Sequence, residues 1–227
     1  MRVATFNIRH GETREGRVDL GRLAAACHHL DADLLALQEV DRRMRRSGWA
    51  DMPRRLGRAT GMRRLFAPAL RVGWLGRYGN ALLVRGTVGD VERARFPSPK
   101  ETRGALVATV WIADRPLSVA ATHLSVDRDE RDAQLDLIAA LLARRPEPRL
   151  LLGDLNGLPE DVGARCARAG LRLALAGPTF PATAATKQID HIAYSGLDLV
   201  GAEVVDAGMS DHHAVVAELG WPWQAGA

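Results

Sequence analysis

The chain lacks the features of a membrane-embedded or exported protein. It has no apolar run near the roughly 20 residues that a membrane-spanning helix needs, so we expect no integral membrane segment. The N-terminus, Met1-Arg2-Val3-Ala4, has no apolar signal-peptide region and no cleavage site. These absences predict a cytoplasmic location.

Cysteine is nearly absent, with only Cys27 and Cys166 in 227 residues. Each lies in an Ala-rich stretch with a helical pattern, and neither has a second cysteine nearby. The pattern argues against a disulfide-stabilised fold and against a cysteine-based metal site. Both side chains are expected to be free, buried thiols in a reducing compartment.

Lysine is also scarce, since Lys100 and Lys187 are the only two, and arginine supplies nearly all the positive charge. The formal net charge is +4. Arginines cluster in residues 42–46 and 54–64. A guanidinium binds phosphate through two parallel hydrogen bonds, but a coding bias toward arginine on solvated faces gives the same pattern. Charge alone therefore leaves nucleic-acid binding open.

What the chain does contain is ordinary globular composition, 47% hydrophobic and 26% charged residues. It shows no internal repeat, no low-complexity stretch and no linker rich in Pro, Gly or Ser. We predict a single domain over residues 1–220. Residues 221–227 are expected to form a loosely attached C-terminal tail.

Strand and helix patterns alternate along the chain. A strand over 2–8, a helix capped by Asp19 and ending near Leu30, and a strand over 34–39 predict neighbouring strands in one sheet. Residues 70–79 contain three glycines and predict an irregular loop. Further helices are expected over 51–61, from Asp127 or Asp129 to 145, and over 161–169. Further strands are expected over 80–84, 88–95, 104–112, 117–121, 187–194, 197–205 and 214–219.

One stretch, residues 150–159, organises the rest. Three leucines run into Gly153-Asp154-Leu155-Asn156, which predicts a buried strand that ends on polar side chains. On an extended backbone Asp154 and Asn156 would face the same side. A simple Asx turn at the strand end is the alternative interpretation.

The same arrangement recurs elsewhere, because polar side chains lie at the ends of several apolar strands. Carboxylates bind hard divalent cations, amides and imidazoles hydrogen-bond phosphate oxygens, and a carboxylate–imidazole pair activates water. Together they form the combination that phosphoryl chemistry needs. The residues are Asn7, Glu39, His123, Asp154, Asn156, Asp190, Asp211 and His212.

Seven blocks in order along the chain resemble the endonuclease/exonuclease/phosphatase (DNase I-like) family. They are Thr5-Phe6-Asn7-Ile8, Leu37-Gln38-Glu39-Val40-Asp41, Tyr78-Gly79-Asn80-Ala81-Leu82-Leu83, Thr122-His123-Leu124, Gly153-Asp154-Leu155-Asn156, Ile189-Asp190-His191-Ile192 and Ser210-Asp211-His212. The resemblance implies an α/β fold, a four-layer α/β sandwich in which two mixed sheets pack face to face with helices outside.

The resemblance also implies roles for individual residues. Glu39 would be the main Mg²⁺ ligand, with Asn7 close by and Asp211 completing or supporting the site; Mn²⁺ is a possible substitute. His212 would be the base that activates water, with Asp190 on its other ring nitrogen, while Asp154 would orient the water or serve as the alternative base.

For the remaining residues the implied roles concern the substrate. Asn156 would hold the nucleophile or the phosphate, and His123 would contact a phosphate oxygen or protonate the leaving oxygen. Asn80 and Arg103 are candidate substrate-binding residues, although Asn80 could be structural and Arg103 could form a surface salt bridge.

The function implied is metal-dependent hydrolysis of a phosphate ester, on a small or lipid-derived phosphorylated substrate, by a monomer. A DNA endonuclease or exonuclease, including one for abasic or damaged DNA, is the alternative, and a non-catalytic binding module is the third. The chain is short for the family, with no insertion resembling a DNA-grasping loop and no obvious membrane-docking hairpin.

Overall fold

The computed structural model describes residues 1–222. Four helices lie among them: α1 (Leu20–His29), α2 (Met52–Thr60), α3 (Arg128–Ala143) and α4 (Pro159–Arg168). The strands are β1 (Arg2–Asn7), β2 (Leu34–Arg42), β3 (Arg63–Val72), β4 (Gly76–Val84), β5 (Thr87–Phe96), β6 (Arg103–Ile112), β7 (Arg115–His123), β8 (Arg149–Asp154), β9 (Arg172–Leu173), β10 (Asp190–Ser195), β11 (Asp198–Val205) and β12 (Ala214–Gly220).

The strands form two mixed sheets of six. The first has the order β11-β12-β1-β2-β4-β3 and the second β5-β6-β7-β8-β10-β9. Each sheet contains one parallel pair, β1 with β2 and β7 with β8, and the other pairs are antiparallel. A parallel pair needs a crossover connection, and α1 and α3 supply the two crossovers.

Three apolar clusters define four layers. The central one joins the inner faces of the two sheets, with Leu34 and Leu82 from the first and Leu106 and Leu152 from the second. A second cluster packs α1 and α2 against the outer face of the first sheet, and a third packs α3 and α4 against the second sheet. This confirms the predicted four-layer sandwich.

Helix starts follow the predicted capping residues. Asp19 accepts from the backbone N–H groups of Gly21 and Arg22, and Asp51 accepts from that of Arg54. Asp127, not Asp129, caps α3. Each cap satisfies backbone donors that the first helical turn leaves without partners. The two cysteines are free and buried, as expected.

The prediction of a loop over residues 70–79 is wrong, because β3 and β4 form a hairpin there with a turn at 73–75. Two of the three glycines interpreted as loop residues serve close packing, and the third, Gly73, is a turn residue with a left-handed backbone. A Cβ on Gly79 would lie 2.1 Å from the Ala67 carbonyl oxygen, and one on Gly76 would lie 2.7 Å from Met44 Sδ. The strand expected over 187–194 begins only at Asp190.

At the C-terminal end, Trp221 is half-buried against the central core, and the Arg115 guanidinium lies 5.4 Å from its ring centroid. Residues 223–227 lie outside the described residues, so the loose attachment of the 221–227 tail stays a prediction. None of the helices in the described part of the chain combines the length and hydropathy that crossing a bilayer requires.

Candidate active site

The carboxyl ends of the parallel strands meet in one cleft between the sheets. Asp154 ends β8 and is paired in register with His123 at the end of β7 and with Asp190 at the start of β10. All three side chains are buried. Strand pairing therefore places an imidazole and a second carboxylate on either side of Asp154.

Asn7 connects the two sheets at this point. It ends β1 in the first sheet, and its Nδ2 donates to Glu39 Oε1 at 3.1 Å and to Asp154 Oδ2 at 3.0 Å. The backbone carbonyl oxygen of Asn7 accepts a hydrogen bond from the buried Ser210 hydroxyl at 2.7 Å. Glu39 and Asp154, which are far apart in sequence, are thus separated by no more than two hydrogen-bond lengths.

Glu39 reaches the cleft through an irregularity in β2. The register between β2 and β4 shifts between Leu37 and Val40, and Glu39 adopts a left-handed backbone with φ of 59°. Such bulges re-aim a side chain at a cost in backbone strain. The strain falls on the residue that the sequence singles out as the metal ligand.

His212 and Asp190 form a buried pair. His212 Nδ1 donates to Asp190 Oδ2 at 2.9 Å, and His212 Nε2 lies 3.9 Å from Asp154 Oδ2. The Phe180 ring packs against the imidazole with centroids 4.8 Å apart. Since the carboxylate only accepts, the Nδ1 proton is fixed and Nε2 faces Asp154.

The cleft perturbs both partners of the Asp154–His212 contact. Burial and the Asp190 charge raise the pKa of Asp154 to about 7. Burial lowers the pKa of His212, but the charge and hydrogen bond of Asp190 outweigh it and raise that pKa to about 9. A carboxyl with a pKa of about 7 thus lies in contact with an imidazole with a pKa of about 9, and perturbed pairs of this kind are common at catalytic sites.

His123 and Arg103 form the opposite wall. Arg103 Nη1 donates to His123 Nδ1 at 3.2 Å, and His123 Nε2 lies 3.3 Å from Asp154 Oδ2. Burial, Arg103 and His212 hold the pKa of His123 well below its usual value, which favours its neutral form with Nε2 facing Asp154. Arg103 also pairs with Glu101 and is nearly buried, and its Nε has no partner among the described residues.

Three further predicted site residues lie around these walls, and one of them departs from the expected backbone geometry. The expected extended geometry of Asn156 is wrong: φ is 49°, its N–H donates to Asp154 Oδ1 in an Asx turn, and its Nδ2 donates to the Leu124 carbonyl. Asn80 donates to the Gly104 carbonyl across the sheets. Asp211 is more exposed and lies 3.7 Å from Arg9 Nε.

The sequence matches the Endonuclease/Exonuclease/phosphatase family over residues 4–212, a range that includes every strand end in the cleft. The chain belongs to this family. No curated protein matches the sequence.

Solved structures with the same fold include other members of this family. An endonuclease/exonuclease/phosphatase from Beutenbergia cavernae is 24% identical with a TM-score of 0.81, over 97% of this chain and 71% of that one. A functionally unknown conserved protein from Enterococcus faecalis is 23% identical with a TM-score of 0.77, over 97% and 100%. Truncated TDP2 from Caenorhabditis elegans is 20% identical with a TM-score of 0.70, over 95% of each chain. At these identities the likeness establishes the fold alone.

The donor atoms in the cleft fit a divalent cation. Asp154, Asp190 and His212 offer ligand atoms within 4.8 Å of one another and could hold a metal ion. Asp190 Oδ1 is buried with no hydrogen-bond partner among the described residues. On the other side of Asn7, Glu39 is partly exposed and keeps Oε2 beyond its bond to Asn7. Most of these donors are oxygens, which hard cations prefer.

Sequence reasoning set aside one residue that the fold brings to the cleft. His10 follows Asn7 in a short 3-10 helix with a left-handed backbone, and its Nδ1 lies 4.0 Å from Glu39 Oε2 while its Nε2 lies 3.2 Å from Glu12. Its only sequence signal was proximity to the first family block.

Proposed function

We propose that this protein is a Mg²⁺-dependent phosphoesterase that hydrolyses a small or lipid-derived phosphate ester by in-line attack of water. The single observation that carries the proposal is the bridge from Asn7 to Glu39 and Asp154, beside the His212–Asp190 pair. A cation site and a water-activating couple then adjoin one another.

Glu39 would be the main metal ligand, with Asn7 orienting it and Asp211 supporting the site from the exposed side. Bound Mg²⁺, or Mn²⁺ in its place, supplies charge that polarises the phosphate and offsets the negative charge of the transition state. Asn7 contributes by holding the Glu39 carboxylate in place and by fixing its distance from Asp154.

Asp154, Asp190 and His212, which are all buried, would activate the water. Asp190 holds the His212 tautomer and stabilises its cationic form, so Nε2 is the atom that exchanges a proton in the cleft. Asp154, with its pKa near 7, either orients the water or takes its proton.

The opposite wall would bind the phosphate. Arg103 has a buried Nε with no partner within residues 1–222 and is suited to an anionic oxygen. His123 would position Asp154 and contact the same phosphate, whereas its lowered pKa makes it a poor acid for the leaving oxygen. Asn156 and Asn80 would shape the cleft through backbone contacts.

The first test compares Glu39→Gln and His212→Ala with the unmodified protein on a panel of phosphomonoesters, phosphodiesters and nucleic acids with Mg²⁺ or Mn²⁺. Each variant should lose about a thousandfold or more in kcat/KM, because it removes a group needed in the transition state. Glu203→Gln, at an exposed ion pair with Arg2, is the matched control and should retain activity. Full turnover by either site variant would refute the proposal.

A nuclease is the second candidate, favoured by the exposed arginines of α2. Arg54, Arg55 and Arg58 make no ion pair with a carboxylate within residues 1–222. A nuclease would bind duplex DNA with a steep salt dependence and nick plasmid or abasic DNA when Mg²⁺ is added. Absence of both would remove this candidate without affecting the first.

A further inference from the structure

The turn of the β3–β4 hairpin exposes a cluster of apolar side chains. Trp74 is 96% exposed, Leu75 is 55% exposed and Val72 is 44% exposed. Across from them Trp49 is 59% exposed. Exposed tryptophan beside exposed aliphatic residues is costly in water unless another phase or a partner covers it. We name the four hairpin residues Leu70, Val72, Trp74 and Leu75 the hairpin tip.

The hairpin tip faces the arginine-rich loop that follows β2. A groove of about 450 Å³ runs between them, lined on one side by Arg43, Met44, Arg45, Arg46 and Trp49 and on the other by residues 72–76. The two sides are held in contact, since the Gly76 backbone packs on Met44. They therefore form one surface.

This surface is strongly basic and lacks acidic residues. Segments 42–50 and 62–77 contain no Asp or Glu. Arg42 and Arg46 pair with Asp51 and Asp41, but Arg43, Arg45, Arg71 and Arg77 pair with no carboxylate in the described part of the chain. Free cations thus surround an apolar tip.

We propose that the hairpin tip and the arginine loop 43–46 dock the protein on the interface of an anionic phospholipid bilayer. The sequence showed no obvious membrane-docking hairpin because residues 70–79 had the pattern of an irregular loop. Tryptophan prefers the headgroup level, aliphatic side chains enter the acyl boundary, and arginines attract anionic headgroups from behind them. Base stacking would use the tryptophans but gives no role to Leu70, Val72 and Leu75, so a bilayer accounts for more of the surface than a nucleic acid does.

The docking surface connects directly to the cleft. Arg46 stacks over the Tyr78 ring at 5.1 Å and pairs with buried Asp41. Tyr78 in turn lines a small cavity with Glu39, Asn80, Arg103 and His123. Strand β4 carries the chain from Gly76 to Asn80, ~13 Å at the usual rise per residue. If the proposed phosphoesterase activity holds, the docked protein would present its cleft to a phosphorylated lipid.

The experiment measures co-flotation with phosphatidylcholine vesicles, with and without phosphatidylglycerol, in EDTA so that turnover plays no part. The unmodified protein should bind the anionic vesicles and bind the neutral ones weakly. Trp74→Ser with Leu75→Ser should lower the partition coefficient roughly tenfold or more, and Arg43→Glu with Arg45→Glu should abolish the preference for anionic lipid.

Matched controls lie on other faces. Val200→Ser removes another strongly exposed apolar side chain, on β11, and Arg168→Glu reverses an exposed charge on α4; both variants should bind vesicles normally. Circular dichroism checks the fold of every variant. Trp74→Phe should keep binding while reducing the blue shift of tryptophan emission that binding produces.

Three results would overturn the proposal: no vesicle binding, DNA binding that depends on the hairpin tip without vesicle binding, or a dimer that the Trp74→Ser variant abolishes. Hydrolysis of a soluble aryl phosphodiester tests the proposed function separately. Vesicle binding with no hydrolysis of any phosphoester in the panel would leave docking intact and refute the enzyme. Hydrolysis without vesicle binding would leave the enzyme intact and refute docking.

Discussion

At the scale of single residues, the Asp154 carboxylate is almost completely buried. It accepts hydrogen bonds from Asn7 and from the Asn156 backbone and contacts two imidazoles, yet burial still raises its pKa to about 7. The folded protein without metal therefore carries a charge that the unfolded chain would solvate better.

Asp154→Asn is accordingly expected to stabilise the metal-free protein above pH 7 by about 1–3 kcal/mol in unfolding free energy. Because the pKa of Asp154 is raised in the folded state, its ionisation lowers the unfolding free energy. This loss of stability is absent below the unfolded-state pKa near 3.8 and complete above the folded-state pKa near 7. Thermal melts of Asp154→Asn and the unmodified protein at pH 8 and pH 5 measure the effect. The rise in melting temperature caused by the substitution should be larger at pH 8. An equal or lower melting temperature at pH 8 would contradict it.

Asp190 sets the state of His212, and the effect is open to direct titration. In Asp190→Asn the imidazolium loses its charged partner, so burial dominates and the pKa of His212 should fall from about 9 by more than one unit. Imidazole NMR shifts of the metal-free protein report this without catalysis. Asp206→Asn, beside His213, is the control and should leave the His212 titration unchanged.

At the scale of elements, the cleft depends on how closely β7 and β8 approach. Thr122 and Gly153 are paired, and a Cβ on Gly153 would lie 2.1 Å from the Thr122 carbonyl oxygen. Glycine is therefore required one residue before Asp154 so that this carboxylate stays beside His123.

Gly153→Ala should force the two strands apart, with a loss of about 2–4 kcal/mol in stability and a fall in kcat. Gly163→Ala on α4 is the matched control, because its Cβ would meet Leu173 at an ordinary 3.5 Å. That change should be neutral or slightly stabilising. Urea unfolding measures the stability of both variants. Equal unfolding midpoints for Gly153→Ala and Gly163→Ala would show that the close strand contact at Gly153 is unimportant.

At the scale of the whole molecule, the cleft lies between the two sheets, whose inner faces pack together through the central apolar cluster. Glu39 belongs to one sheet and Asp154 to the other. A cation held by Glu39 in this cleft binds the folded state and not the unfolded chain, because only the fold brings its neighbours Asn7 and Asp154 beside it, so binding must raise stability.

Mn²⁺ or Mg²⁺ is thus expected to raise the melting temperature progressively with the logarithm of the free ion concentration. The gain in unfolding free energy should be about 2.7 kcal/mol when the free ion exceeds its Kd a hundredfold. Glu39→Gln should lose most of this shift, whereas Glu203→Gln should retain it. Differential scanning calorimetry over a metal titration measures the effect. The same shift in Glu39→Gln and the unmodified protein would place the metal elsewhere.

Much of the architecture was predictable because it depends on local patterns. Alternation and β-forming residues mark β1, apolar runs mark β2 and β8, and Asp19, Asp51 and Asp127 mark helix starts through hydrogen bonds within one turn. The β3–β4 hairpin was missed for the same reason: Gly76 and Gly79 indicate a loop locally, and only their tertiary neighbours explain them.

The sequence by itself determined which side chains stand at strand ends, the helix boundaries and the family. Only the tertiary structure decided which of those side chains touch: that Asn7 bridges Glu39 and Asp154, that His123 faces Arg103, and that Asn156 turns away. The physical reason is range. Periodicity and capping act over a few residues, whereas contacts between two sheets depend on register, bulges and close glycine packing that no local pattern encodes.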